Sequence, residues 1–156
     1  RMHGSISMEI AGTGSGLDET RKLSERLGVK ESVRFYGYVD REQAEELHRQ
    51  ANVLIVVQTV DTSKLQVPGK IFEYMRMSRP ILAIMPECEA ADILRRSGLG
   101  LIHHPEDIDG IADTLIKLWS DWRTGRSSVR MDYDYVTQFS VKNLPEKLRP
   151  VLEGLV

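Results

Sequence analysis

Short apolar segments alternate regularly with amphipathic segments, and this pattern restricts the fold of the chain more than any other feature. NVLIVVQ and PILAIM are almost wholly apolar and rich in β-branched residues, as expected for strands covered on both faces. Polar segments of helical length, such as REQAEELHRQA, lie between the apolar ones. Strands separated in this way favour βαβ units. The sequence therefore predicts an α/β fold, with a Rossmann-like parallel sheet and helices on both faces.

The predicted elements follow one another along the chain. ISMEIAG predicts a strand followed by a helix from about Leu17 to Leu27, and SVRFYGYV predicts the next strand. Asp40 is placed to cap the helix that comes after it. Beyond the strand NVLIVVQ, a helix is expected to begin at Pro68 and to precede the strand PILAIM. Further along are the helix CEAADILRRSG, the strand GLGLIHH, the helix PEDIDGIADTLIKLWSDW, a polar stretch over residues 123–138 and a final helix from about Val141 to Leu155.

Composition is typical of a single globular domain. The chain has 156 residues, 28% of them charged, and a formal net charge of -2, so nothing indicates a nucleic-acid surface or a polybasic membrane patch. Cys88 is the only cysteine, which excludes an internal disulfide and favours a reducing, cytoplasmic setting. The apolar runs are too short to span a bilayer, and no secretory signal is recognisable. Because the chain opens almost directly on a strand, we expect a domain taken from a longer protein.

Loops beyond the carboxyl ends of parallel strands are where such folds bind ligands. The first of these loops is AGTGSG, in which Gly12, Gly14 and Gly16 allow the backbone to approach a phosphate at a helix N-terminus. The spacing differs from the GxGxxG of dinucleotide-binding proteins, and the second strand ends without the acidic residue that binds an adenosine ribose. The pattern argues against a nicotinamide dehydrogenase and leaves a ligand contact and an ordinary glycine-rich turn as equal alternatives.

The second candidate loop is FYGYVD. Gly37 permits a sharp exit from the strand, and Tyr38 and Val39 then lie at the carboxyl edge, where a flat base can pack on them. In the alternative interpretation, which the sequence alone slightly favours, Tyr38 is a half-buried aromatic residue at the rim.

The third candidate is QVPGKIFEYM, the abrupt start of a helix. Pro68 is placed at the first helical position and successive residues turn by about 100°. Ile71, Phe72 and Met75, together with Pro68, then form a side that faces the core. Lys70 and Glu73 fall together on the opposite side, so the predicted helix is amphipathic.

Two interpretations of Lys70 and Glu73 stay level on the residues alone. In one, they form an ordinary ion pair across one helical turn, worth a few tenths of a kcal/mol. In the other, the turn at Pro68 and Gly69 offers backbone N–H groups to a diphosphate. The Glu73 carboxylate then accepts hydrogen bonds from a vicinal diol such as that of a ribose.

The order of these segments resembles the C-terminal, nucleotide-sugar-binding domain of GT-B glycosyltransferases, and most closely the retaining group known as glycosyl transferase group 1. The resemblance rests on MEIAGTGSG, VRFYGYVDREQAEELHRQANVLIVV, VPGKIFEYMRMSRPILAI, GLGLI and DIDGIADTLIKL. It is most specific at PGKIFEYM followed by RPILA, where the family uses KxxEYxxxxxPIL. It implies that residues 1–156 are one half of a GT-B fold. This half would be a single Rossmann-like domain truncated at its N-terminal side, with a helix at 140–156 that braces the absent N-terminal domain.

The resemblance also implies a role for each candidate loop. Glu73 matches the glutamate that hydrogen-bonds the ribose hydroxyls, and Gln66 to Lys70 match the segment near the diphosphate and sugar. Tyr38 and Val39 match residues that border the base, and the glycine loop lines the cleft. The nucleotide-sugar-binding residues implied in this way are Gly12, Thr13, Tyr38, Val39, Pro68, Gly69, Lys70 and Glu73. No catalytic residue is assigned, and no metal ligand is expected.

The sequence departs from the family pattern in three respects. Leu65 occupies the position of the first of two glutamates that the family often carries. Ser78 replaces the glycine that usually ends the helix, so we expect a left-handed residue there at a small energetic cost. By the family pattern, we expect the strand and helix that carry a basic pair for the diphosphate, and the acceptor-binding domain, to lie outside this sequence.

The function that the resemblance predicts is binding of the donor in a retaining glycosyltransferase. The intact enzyme would transfer a sugar from a UDP-, GDP- or ADP-linked donor to a hydroxyl of a glycan, lipid or small molecule held by the missing domain. Helix dipoles and basic residues would stabilise the leaving diphosphate without a metal or another cofactor. We expect the full-length enzyme to be cytoplasmic, and peripheral association with a membrane is compatible with this expectation. We expect the 156-residue chain to be inactive by itself.

Two alternatives remain open. A GT-B-type nucleotide-sugar epimerase would need acidic and histidine residues in its cleft, and His103 and His104 are the only paired histidines. A non-catalytic α/β interaction module would use Glu73 only as the ion-pair partner of Lys70.

Overall fold

The computed structural model describes residues 6–60, 66–140, 149–150 and 152–154. The chain divides into two compact units, Arg1–Gln50 and Ala51–Val156, here called the N-terminal and the C-terminal unit. In both units parallel strands alternate with helices, which confirms the predicted α/β class. Most of the predicted helix from Val141 to Leu155 lies outside the described residues.

Among its described residues, the N-terminal unit has two parallel strands, two α-helices and a short 3₁₀ helix (Lys30–Ser32). Strand β1 (Met8–Ala11) leads to helix α1 (Leu17–Arg26), and β2 (Val33–Gly37) leads to α2 (Arg41–Gln50). The two strands pair in parallel. On one side of β2, the Arg21 guanidinium of α1 lies 4.4 Å from the centre of the Phe35 ring.

Helix α2 begins with a reciprocal cap. The Asp40 carboxylate accepts a hydrogen bond from the Gln43 N–H (2.8 Å), and the Gln43 side-chain oxygen accepts one from the Asp40 N–H (3.2 Å). The cap predicted at Asp40 is thus confirmed, and it satisfies two backbone donors at the helix start.

The C-terminal unit carries a three-stranded parallel sheet in the order β3-β4-β5. The elements whose bounds lie within its described residues are, in chain order, β3 (Leu54–Val57), α3 (Lys70–Met75), β4 (Ile81–Ile84), α4 (Glu89–Arg96), β5 (Gly100–His103), α5 (Ile108–Arg123) and α6 (Tyr133–Thr137). Helix α6 lies within residues 123–138, for which the sequence predicted a polar stretch and no helix. The Asp132 carboxylate caps it by accepting a hydrogen bond from the Tyr135 N–H (2.9 Å).

The hydrophobic core of this unit includes side chains from β4, α3 and α4. Ile71, Met75, Ile81 and Leu94 are almost completely buried. Burial of each such side chain contributes about 1.5–3 kcal/mol to folding. The segment that contains α6 packs against the same core through Val129, Met131, Tyr135 and Val136.

Helix α3 faces the core with a set of residues that differs from the predicted one. Ile71, Tyr74 and Met75 are buried, whereas Phe72 is only partly buried and its ring centre lies 5.1 Å from that of Phe139. Tyr74 lies 60° from Ile71 around the helix and Phe72 lies 100° away, at about 100° per residue. The prediction was therefore right for Ile71 and Met75 and partly right for Phe72, which packs against the core while only partly buried. It missed Tyr74.

Ser78 adopts the left-handed conformation expected of it, with φ of 51°, the only non-glycine residue among those described to have a positive φ. Its N–H donates to the Met75 carbonyl (3.2 Å), and its hydroxyl lies 3.3 Å from the Met131 sulfur. A side chain in this conformation costs about 1–2 kcal/mol, and glycine avoids that cost.

Replacement of Ser78 by glycine should stabilise the fold by about 0.5–1 kcal/mol, because relief of the left-handed strain exceeds the extra unfolded-state entropy of glycine. Urea unfolding measures the change. Ser78→Ala is the matched control, since it keeps the strain and removes the hydroxyl, and it should give no stabilisation. A glycine variant no more stable than the wild type would contradict the strain.

Candidate functional site

The glycine loop and the Gly37–Val39 turn lie at the same edge of the N-terminal unit. The Gly12 N–H donates to the Gly37 carbonyl at 2.7 Å, just beyond the ends of β1 and β2. The pairing register shifts there, because Ile10 lies opposite Phe35 while Ala11 lies opposite Gly37. Such a bulge bends the strand and redirects the side chains that follow. Gly12, with φ of 128°, and Gly37, with φ of 68°, both use conformations that favour glycine.

Tyr38 is presented to solvent at this edge. The residue is 81% exposed, so the expectation of a half-buried rim residue is wrong. The bulge and the left-handed Gly37 turn the chain just before Tyr38, which accounts for the outward direction of its ring. Thr13 is also exposed, and Val39 is half-buried. The structure thus brings Gly12, Thr13, Tyr38 and Val39 to one edge of this unit.

The turn before α3 holds the remaining candidate residues in the C-terminal unit. Helix α3 begins at Lys70 with Gly69 as its N-cap, two residues later than the predicted start at Pro68. The Ile71 N–H donates to the Pro68 carbonyl and the Phe72 N–H to the Gly69 carbonyl, both at 3.1 Å. These three-residue spacings are those of a tight 3₁₀-type turn. Two of the backbone N–H groups expected to face a phosphate are therefore used within the turn itself.

Lys70 and Glu73 are both exposed and point away from the core, as predicted. Within the described part of the chain, neither side chain takes part in an ion pair or a side-chain hydrogen bond, so the ion pair between them does not form. Because it is exposed and unpaired in this way, the Glu73 carboxylate is available to bind a ligand. The adjacent Tyr74 is buried, and this burial, with a smaller contribution from the Glu73 carboxylate, raises the pKa of Tyr74 above its ordinary value.

Gln58, directly after β3, is a buried polar residue that sequence reasoning missed. Its backbone N–H continues the ladder to the Ile84 carbonyl (3.0 Å), and its side-chain Nε2 donates to the Gln66 carbonyl at 2.9 Å. Its Oε1 is buried and accepts no hydrogen bond from any residue that the structure describes. Such an acceptor costs about 1–3 kcal/mol, whereas one ordinary hydrogen bond contributes about 0.5–1.5 kcal/mol. The available signal was a glutamine ending the otherwise apolar run LIVV.

His103, one of the two paired histidines considered for the epimerase alternative, forms hydrogen bonds to α5 and to the residue that caps it. Its Nδ1 lies 2.9 Å from the Asp107 carboxylate and its Nε2 lies 2.8 Å from the Thr114 hydroxyl. Asp107 also accepts a hydrogen bond from the Gly110 N–H (3.1 Å) and so caps the helix. The hydrogen bond with His103 and, next, that from Gly110 lower the pKa of Asp107. Both ring nitrogens of His103 are thus used in the join between β5 and α5, while His104 is exposed.

Residues 1–121 match the family described as Glycosyl transferases group 1. The chain belongs to this family. The matched region includes the glycine loop, the Gly37–Val39 turn and the whole of α3. No curated protein matches the chain significantly.

Two solved structures show that this group 1 glycosyltransferase domain has the fold of one half of GT-B enzymes. HepE from Anabaena, solved in complex with UDP, is 16% identical with a TM-score of 0.72. The lipopolysaccharide outer core galactosyltransferase WaaB, in its apo form, is 16% identical with a TM-score of 0.68. Each likeness covers 96% of this chain but only 41% of the other chain. No helix among the described residues is long and apolar enough to cross a membrane.

We expect alanine substitutions at Gly12 and Gly14 to change the stability of the protein by different amounts. Gly12→Ala should destabilise the protein by about 1–3 kcal/mol, because its φ of 128° is strained for any residue with a side chain. Gly14→Ala is the matched control in the same loop. An added Cβ there meets no atom within 4 Å, so its effect should stay within about 0.5 kcal/mol. Urea unfolding of both variants measures the difference, and equal effects would contradict this loop geometry.

Proposed function

We propose that this domain binds the nucleotide-sugar donor of a retaining glycosyltransferase, which transfers the sugar to an acceptor hydroxyl. The observation that carries the proposal is the match to glycosyl transferases group 1, because it spans all the candidate binding residues. The donor-binding residues in this proposal are Gly12, Thr13, Tyr38, Val39, Pro68, Gly69, Lys70 and Glu73.

Glu73 binds the ribose in this proposal. Its carboxylate is exposed and is not paired with Lys70, so a ligand does not have to break an existing ion pair to reach it. Two carboxylate oxygens can accept hydrogen bonds from two vicinal hydroxyls at once. Hydrogen bonds to a charged group contribute about 1.5–3 kcal/mol, so loss of the Glu73 carboxylate should weaken nucleotide binding measurably.

Lys70 and Tyr38 supply complementary chemistry. The exposed Lys70 ammonium, in the first turn of α3, offers a positive charge to a diphosphate. The exposed Tyr38 ring offers a flat apolar surface to a base. We propose UDP as the first nucleotide to test, ahead of GDP and ADP, because HepE was solved with UDP.

The complete reaction requires more than this domain. The chain spans 41% of the length of both HepE and WaaB, so we propose that acceptor binding belongs to another domain of the intact enzyme. The acceptor is a glycan, a lipid or a small molecule, and the 156-residue chain is inactive by itself. We further propose that the intact enzyme acts in the cytoplasm without a divalent metal, so EDTA leaves nucleotide binding unchanged.

UDP titration followed by calorimetry tests the role of Glu73. Glu73→Ala should weaken UDP binding by about 10- to 100-fold, because the ribose hydroxyls lose a charged acceptor. Wild-type protein should bind 2′-deoxy-UDP more weakly than UDP, and Glu73→Ala should remove that preference. The combined comparison assigns the lost affinity to the ribose rather than to the base or phosphates.

Glu89→Ala is the matched control, since Glu89 is also an exposed glutamate in the first turn of a helix of the same unit. It should leave UDP affinity unchanged. A Glu73→Ala variant that binds UDP as tightly as wild type would reject Glu73 as the ribose ligand. A wild-type protein that binds neither UDP, GDP nor ADP would favour the non-catalytic interaction module.

A further inference from the structure

The buried amide of Gln58 connects the end of β3 to the turn that begins α3. Its backbone is fixed in the sheet by the hydrogen bond to the Ile84 carbonyl. Its side-chain NH₂ reaches eight residues along the chain to the Gln66 carbonyl at 2.9 Å. Gln66 directly precedes the segment Val67–Lys70, so one side chain links the rigid sheet to the start of the proposed binding turn.

Stability alone gives no reason for a glutamine at this position. Gln58 is only 5% exposed, and its Oε1 receives no hydrogen bond from the described residues. An unpaired buried acceptor lowers the free energy of unfolding by more than a single neutral hydrogen bond raises it. An apolar side chain of the same size avoids that loss of stability. Each unpaired buried polar group in a folded protein calls for an explanation. For Gln58, the observation that points to one is the hydrogen bond from its NH₂ to the Gln66 carbonyl.

We propose that Gln58 is a positioning residue for nucleotide binding. Its NH₂ fixes the Gln66 carbonyl and thereby holds the Pro68–Lys70 turn in the conformation that receives the diphosphate. Glu73 follows this turn within one short helix, so the same contact also sets the position of its carboxylate. The inference rests on the proposed nucleotide-sugar binding. It adds to the proposed donor-binding residues a buried residue, Gln58, that acts through the turn and does not touch the ligand.

Amide hydrogen exchange tests the positioning without any ligand. In Gln58→Met, which keeps the size of the side chain but removes its amide, the Ile71 and Phe72 N–H groups should exchange about tenfold faster than in wild type. These two amides report on the turn because they donate to the Pro68 and Gly69 carbonyls. Amides of β4 should keep their wild-type rates. Unchanged exchange at Ile71 and Phe72 would overturn the proposal.

Ser97→Ala provides the matched control for a general loss of stability. Ser97 is also a buried polar residue of the C-terminal unit, and its hydroxyl donates to the Leu94 carbonyl at 2.6 Å, away from the turn. This variant should lower the melting temperature without selectively accelerating exchange at Ile71 and Phe72. Equal acceleration in Ser97→Ala would show that the effect at Gln58 is not specific, which would also overturn the proposal.

UDP affinity supplies the second measurement. Gln58→Met should weaken UDP binding by about tenfold while its melting temperature stays equal to, or rises above, that of wild type. Gln58→Leu should behave in the same way and serves if the methionine variant does not fold. Faster exchange with unchanged UDP affinity would overturn the positioning role but leave the proposed function intact. Failure of wild type to bind UDP, GDP or ADP would instead reject the proposed function, while the exchange data still report on the turn.

Discussion

Burial of Ile71 and Met75 in the core of the C-terminal unit is the interaction on which the candidate site depends. These side chains are almost fully inaccessible to solvent, so any rotation of α3 about its axis would expose large apolar groups. Each such exposure costs about 1.5–3 kcal/mol, far more than a surface contact of Lys70 or Glu73 returns. The core therefore fixes the helix rotation, and the rotation places both charged residues outward. Their availability to a ligand is a consequence of packing.

The absence of an ion pair between Lys70 and Glu73 follows from the energetics of exposed charges. Two long side chains lose rotational freedom when they pair, and water screens the attraction, so such pairs contribute about 0–1 kcal/mol. Exposed pairs do form elsewhere in the unit, as between Arg95 and Asp92 at 2.6 Å. Arg95 also contacts Glu87, and this two-sided arrangement raises the pKa of the arginine, chiefly through the hydrogen bond to Glu87. Lys70 and Glu73 do not pair among the described residues, and because such a pair contributes so little, leaving them apart costs little.

The sequence predicted features that depend on local chemistry and missed those set by distant contacts. Alternating apolar and polar segments predicted the parallel α/β class, and Asp40 predicted a helix cap. The left-handed residue at Ser78 was predicted from the glycine that the resembled family usually has at that position. Tyr38 was misjudged because its exposure depends on a bulge in the pairing of two strands, which neither strand encodes alone. Gln58 was missed because its partner lies eight residues away, beyond the reach of any helical or strand periodicity. The roles of the binding residues stay predictions.

The segment that follows the family match bears on the position of Glu73. The family match ends at residue 121, and Phe139 lies beyond it. The Phe139 ring packs on the ring of Phe72, a residue that lies between Lys70 and Glu73 in the sequence of α3. Tyr135 packs edge-on against Phe139 and under the Arg96 guanidinium, which lies 4.3 Å from the Tyr135 ring centre.

The C-terminal segment is itself fixed to the end of α4. The Asp132 N–H donates to the Ser97 carbonyl at 2.8 Å, and a side chain at Gly98 would collide with the Arg130 carbonyl. Helix α3 is thus held by the core beneath it, by Gln58 through the turn before it, and by Phe139 at its side. A helix of only six residues has too few internal hydrogen bonds to keep its place alone. These three contacts together place the Glu73 carboxylate, and none of them involves Glu73 itself.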